Sequence, residues 1–218
     1  MSDESVFREV DEEVRQEQLK KLWARYGSLV IGVCLLVILG VGGWQGWRYW
    51  QTKQAEAAGD GFFTAASLVS SGKADEALTQ FDSISHPGFR VLAELREAAV
   101  LASQGKTADA VKVYDAVAAT ATADQSLRDL ASIRAAVALA DTADVADLVA
   151  RLKPFDADGN AWRHVAREVM ASAHWRLKDY AAADAQVQAM LGDPETPASL
   201  RQRAQMMAQL LQPLVAAK

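Results

Sequence analysis

The chain carries one cysteine, Cys34, inside its longest apolar run. Residues 51–218 contain none, which excludes disulfides, thiol catalysis and cysteine-based zinc sites from that part. A lone cysteine in apolar surroundings reads as a small packing residue. Basic runs are missing as well. Residues 51–218 hold 17 Lys/Arg against 21 Asp/Glu, a net of −4, which argues against nucleic acid as a partner. No Asn-Gly or Asp-Gly pair stands between alternating strands, so hairpin sheets are not expected. There is no GxSxG elbow, no phosphate-cradling glycine loop and no dinucleotide fingerprint. Carboxylates are plentiful but scattered, as on solvated helix faces. The chain reads as a non-enzyme, with no cofactor and no catalytic, cofactor-binding or metal residue assigned.

What is present is an uncharged stretch, Ser28 to Trp47, of 20 residues without Asp, Glu, Lys or Arg. As a helix rising ~1.5 Å per residue it spans ~30 Å, the thickness of a bilayer's hydrocarbon core. Its middle is aliphatic, and Trp44, Trp47, Tyr49 and Trp50 at its far end suit the headgroup layer. Lys20, Lys21 and Arg25 precede the run, while Arg48 and Lys53 follow it. This weak asymmetry, with Arg8 and Arg15 further back, places the head in the cytoplasm and the tail on the exported side. In a bacterium that is the inner membrane, crossed once, with the C-terminal domain in the periplasm. The competing reading is a cleaved signal peptide ending at Ala55-Glu56-Ala57. The apolar run exceeds the usual signal core, and a cleaved segment has no use for an aromatic belt, so an uncleaved anchor is expected.

The expected organisation is a cytoplasmic helical head (1–27), a transmembrane helix (28–50), a hinge (51–61) and a helical-repeat domain (62–218). In the head, Val6, Phe7, Val10 and Val14 fall at helical spacing, followed by Leu19, Leu22 and Trp23. In the span, Gly42 and Gly46 form a GxxxG pair, beside Gly32, Gly40 and Gly43. They suit close helix packing, or merely reflect how common glycine is in membrane helices. Gly59-Asp60-Gly61 is expected to interrupt the helix.

Beyond residue 62 the sequence is alanine-rich and repeats. Gly72-Lys73 is followed by Ala77, Phe81 and Ile84; Gly105-Lys106 by Ala110, Tyr114 and Val117 at the same offsets. A third copy, lacking the glycine and the aromatic, is read at Asp141, Ala146 and Ala150. A fourth is read at Lys178, Ala183, Val187 and Met190. Ala98 and Ala171 stand seven before the turn. Helices are expected between copies near 89–103, 127–140, 161–177 and 198–212. The last should pack Met206, Met207, Leu210 and Leu211 inward and stop at Pro213. A glycine turn, a small residue where two helices meet, and an aromatic or aliphatic filling each layer make a helix–turn–helix unit that resembles the tetratricopeptide repeat. The fold class is therefore all-α: one transmembrane helix followed by a tetratricopeptide-like solenoid.

Such a solenoid presents a surface of first helices that suits peptides or helices, and Arg90, Arg134, Arg163 and Arg167 are candidates to line it. Trp162, Trp175, Phe89 and Tyr114 read as core. His86 reads as a loop residue. His164 and Glu168 share a predicted helix face, with His174 beyond; no HExxH spacing or further ligand accompanies them, so packing is preferred to metal.

The order of parts resembles the YfgM-like family, single-pass inner-membrane ancillary subunits of the SecYEG translocon. The likeness rests on Gly46-Trp47-Arg48-Tyr49-Trp50, on Trp162, and on Asp193 through Met207, including Thr196-Pro197-Ala198. The head from Arg8 to Trp23 is also similar to alphaproteobacterial members. The resemblance implies an exported interaction module that works beside a PpiD-like periplasmic chaperone and assists newly translocated proteins. Partners would be SecYEG, that chaperone, membrane lipid and translocating polypeptides, with no nucleic acid. The alternative is an envelope scaffold or regulator that organises cell-wall or division machinery without a translocation role.

Overall fold

The computed structural model describes the backbone of residues 3–216, and the side chains from residue 20 onward apart from 21, 22 and 30. The expected contacts of Val6, Phe7, Val10, Val14, Leu19 and Leu22 lie outside the described side chains. Among the described residues nine α-helices follow one another: α1 (Asp3–Ser70), α2 (Ala74–Asp82), α3 (Pro87–Ser103), α4 (Thr107–Ala119), α5 (Gln125–Leu139), α6 (Val145–Leu152), α7 (Arg163–Arg176), α8 (Tyr180–Gly192) and α9 (Ala198–Ala216). A 3-10 turn at Lys153–Phe155 follows α6, and no strand occurs among the described residues. The chain forms two compact units, residues 1–56 and 57–218.

In the first unit the aliphatic side chains are not covered by protein. Leu29, Ile31, Val33, Leu35, Leu36, Val37, Ile38 and Leu39 are all exposed, as are Trp44, Trp47, Tyr49 and Trp50. The best window of 18 residues has a mean hydropathy of 2.2 and is 6% buried. Among the described residues this is the one helix long and apolar enough to cross a membrane. A Cβ added at Gly32, Gly40, Gly42, Gly43 or Gly46 would meet nothing. Their smallness is thus not required by any contact among the described residues.

In the second unit, the stretch of α1 from residue 57 to Ser70 is the first helix of the first repeat. The expected interruption at Gly59-Asp60-Gly61 does not occur: both glycines lie inside α1. Gly59 serves close packing instead, since a Cβ there would sit 3.3 Å from the Phe89 ring. The local cost of a helical glycine, ~1 kcal/mol, is offset by apolar contact with α3.

Three of the four repeat turns share one geometry. Gly72 and Gly105 have φ of +76° and +75°, and the following Lys73 and Lys106 amides donate back to Leu68 and Leu101. This is the Schellman closure of a helix C-terminus. Lys178 adopts the same turn at φ +62°, with Asp179 N–H donating to the His174 carbonyl. A side chain at such a φ costs roughly 1 kcal/mol, which the packing on either side outweighs.

The third copy is built on a register two residues later than expected. Ala146 and Ala150 are exposed, while Leu148, Leu152 and Phe155 are buried. These three reproduce the spacing of Ala77, Phe81 and Ile84, which puts the turn position at Ala143. Ala143 has no positive φ; Asp144 caps α6 instead, its carboxylate accepting from the Ala146 amide at 2.8 Å. On this register the residues seven before each turn are Ala65, Ala98, Ala136 and Ala171, and every one is fully buried.

Each core layer holds one repeat and borrows the first helix of the next. Ala65, Ala77, Phe81 and Ile84 pack with Ala93 and Val100 of α3. Ala98, Ala110, Tyr114 and Val117 pack with Ala131 and Ala135 of α5. Leu148, Leu152 and Phe155 pack with Ala166, Val169, Met170 and Ala173 of α7. Ala171, Ala183, Val187 and Met190 pack with Leu200, Ala204 and Leu211 of α9. The last helix therefore plays the part of a first helix and closes the array. Its inward stripe continues through Met207, Ala208 and Val215, but Met206 and Leu210 face solvent, contrary to expectation. Pro213 does not stop α9, which runs to Ala216. Its missing N–H would have met the carbonyl of Gln209, and Gln209 is exposed, so water can satisfy that oxygen.

Candidate functional site: a groove between first helices

An apolar depression of about 480 Å³ lies where the first helices of repeats one to three come together. Phe62, Leu92, Leu95, Ala99, Leu127 and Leu130 form its walls, Tyr114 of α4 its floor, and Arg96 and Arg134 its edge. The lining follows the repeat. Phe62 and Leu95 stand ten before their turn residues, Leu92 and Leu130 thirteen, and Arg96 and Arg134 nine. A second depression of about 230 Å³ adjoins it, sharing Arg96 and Ala99 and extending to Ala66, Val69 and Ser103. Burial pushes the Tyr114 hydroxyl above its usual range, and the Arg134 charge opposes that shift.

Of the four arginines expected to line this surface, only Arg134 does so. Arg90 is turned along its own helix, its Nε donating to Glu94 at 2.7 Å, and also bonds the Asp82 carbonyl. Arg163 is buried against Asp193, its Nε donating to that carboxylate at 2.7 Å, with Glu195 as a further partner. Arg167 donates to Asp156 at 2.5 Å. Arg163 ties α7 to the connector between α8 and α9, and Arg167 ties it to the connector between α6 and α7. Arg96, in contrast, gave no signal before its repeat register was known.

The Arg163 cluster is a second concentration of charge. Asp193 accepts from Arg163 and from the Glu195 amide, and these bonds hold its carboxyl at about 2. His164 is buried beside it, Nδ1 3.1 Å from the Thr196 hydroxyl, which itself donates to the Met190 carbonyl. That hydroxyl can only accept from the ring, so Nδ1 carries the proton. The ring's other nitrogen is 3.8 Å from Asp193. Burial, with the Arg163 charge adding to it, lowers the His164 pKa below 6.5. His164 and Glu168 do not converge, for Glu168 pairs with Arg203 of α9 at 2.8 Å. His174 lies 3.7 Å from Asp179, the residue capping α8, and His86 caps α3 by accepting from Gly88. Trp162 and Trp175 pack at the margins of the third and fourth layers, and Phe89 at the first.

Acid should therefore loosen the last repeat. Below pH 6.5 an unfolded His164 takes up a proton that the folded ring resists, so stability falls as pH drops through and below that value. A second loss follows below 3.8, where unfolded Asp193 protonates while the folded carboxylate holds out to about 2. Melting temperatures of the wild type and of His164→Gln, followed by circular dichroism from pH 8 to 5, test the first step. The wild type should lose more than the variant over that range; parallel curves would refute the assignment.

An array of paired helices with an apolar groove and no convergent acid–base or metal geometry among the described residues defines a class, the helical-repeat interaction domain. The chain belongs to the tetratricopeptide repeat-like domain family, whose model matches residues 20–207. No curated protein matches the chain. Domains of this family are in general protein–protein interaction modules without catalytic activity.

Proposed function

We propose that this chain is a single-pass inner-membrane protein whose repeat domain, on the periplasmic side, holds partner polypeptides in the groove between its first helices. In this reading it is no enzyme. It serves as an ancillary subunit of the SecYEG translocon and assists newly translocated proteins beside a PpiD-like chaperone. The observation that carries the binding role is the apolar groove of about 480 Å³, open to solvent and lined by repeat-equivalent residues. The uncovered aliphatic helix supports the anchor, and the basic residues before the span support a cytoplasmic N-terminus. The family match begins at residue 20, ahead of the apolar run, which supports anchor and repeats as one functional unit. Anchoring raises the domain's effective concentration beside membrane machinery. The translocon assignment rests on the family resemblance.

A photoreactive amino acid at Ala99, on the groove wall, tests this in cells. Crosslinks to translocon subunits, a periplasmic chaperone or nascent exported chains are expected. Crosslinks to cell-wall synthases alone would favour the envelope scaffold, and no crosslink at all would remove the groove as a binding site.

A further inference from the structure

Residues 57–218 contain ten arginines. Arg90, Arg151, Arg163, Arg167 and Arg203 are in ion pairs with carboxylates. Arg128 bonds Gln125, while Arg176 and Arg201 bond main-chain carbonyls. That leaves Arg96 and Arg134, for which no hydrogen bond or ion pair occurs among the described residues. Both are exposed, both line the groove, and both occupy the same position of their repeats on neighbouring first helices, α3 and α5. Repeat one has Phe63 at that position and repeat four has Val169, so the charge is confined to the middle of the array. A guanidinium at the edge of an apolar wall keeps its donors for a planar anion, and a carboxylate matches its fork.

We propose that the groove selects acidic–apolar segments: extended polypeptide whose leucine-like side chains enter between Phe62, Leu92, Leu95 and Leu130 while two carboxylates meet Arg96 and Arg134. The proposal rests on the groove reading above and adds its ligand class. Neighbouring packed helices lie about 8–10 Å apart. A segment in the extended polyproline II conformation advances about 3.1 Å per residue with three residues per turn, so two acidic residues three apart share one face about 9 Å from each other. The domain's own net negative charge disfavours acidic segments in general, and two uncommitted guanidiniums beside an apolar wall offset that here.

The test uses the full chain in phosphatidylcholine nanodiscs and two fluorescein-labelled nonapeptides of leucine and serine. One carries two glutamates three residues apart; the other carries glutamines there. Fluorescence anisotropy should show the glutamate peptide binding about tenfold tighter, with the advantage shrinking as salt is raised. The double variant Arg96→Gln/Arg134→Gln should bind both peptides equally and keep its helical circular dichroism, since neither side chain holds the fold together. Equal affinities in the wild type, or an undiminished preference in the double variant, would overturn the carboxylate proposal. In that case a benzophenone at Ala99 that still captures either peptide leaves the groove reading standing, whereas capture of neither removes both. Labelling of lipid but neither peptide in phosphatidylglycerol nanodiscs would overturn the proposal in favour of an anionic headgroup.

Discussion

Replacing Leu148 with alanine should cost about 2–5 kcal/mol of stability, as truncation of a fully buried leucine does. Leu148 is 1% exposed and stands in the third layer between Leu152, Phe155 and the α7 residues Ala166 and Met170. Ala150→Ser, only two residues away on the exposed side of α6, should shift stability by no more than about 0.5 kcal/mol. Urea unfolding of the detergent-solubilised chain, followed by circular dichroism, measures both. The pair is decisive about register. Had the third copy run through Ala146 and Ala150, the serine would be the damaging change and the alanine the mild one. Since repeat arrays are coupled through nearest neighbours, the Leu148 cavity should also separate the unfolding of repeats one and two from that of repeat four. A single transition at the wild-type midpoint would contradict the packing described.

The second large effect concerns the anchor. Leu36→Arg combined with Ile38→Arg places two guanidiniums mid-span, each disfavoured by about 2.5–3.5 kcal/mol on the insertion scale. Both side chains are exposed, at 72% and 65%, so no protein contact is disturbed and any change reports on the lipid phase. After carbonate extraction the wild type should stay in the membrane pellet and the double variant should leave it. Leu36→Ile should behave as the wild type. A double variant that remains pelleted would deny this helix its membrane role. The intact mass of the purified wild type distinguishes an anchor from a signal peptide cleaved after Ala57.

Much of the candidate groove was within reach of the sequence, though not its charge. Phe62, Leu92, Leu95 and Leu130 repeat at fixed distances from the turns, and Tyr114 reads as core. Arg134 is legible in the sequence only together with Arg90, Arg163 and Arg167, which are committed elsewhere. The first helices α3, α5 and α7 each carry several arginines, and only contacts across the chain sort them. Asp193 and Glu195 lie 30 and 32 residues from Arg163 in the chain, and no local pattern connects them. Thr196 gave no hint of burial either, sitting between two prolines in an acidic connector, yet it bridges His164 and Met190.

Short-range chemistry was enough for the helices, the apolar span and three of the four repeat turns, because an uncharged run, a glycine at φ near +75° and a spacing of four and seven are properties of neighbours along the chain. Packing alone settled the rest. Helix α1 runs through Gly59 because Phe89 fills the space a side chain would take; the third repeat shifts by two because leucines, not alanines, fill its layer; α9 turns Leu200, Ala204 and Leu211 inward rather than Met206 and Leu210. In each case the deciding free energy is apolar area removed from water by a partner helix distant in sequence, which outweighs local preferences of about 1 kcal/mol.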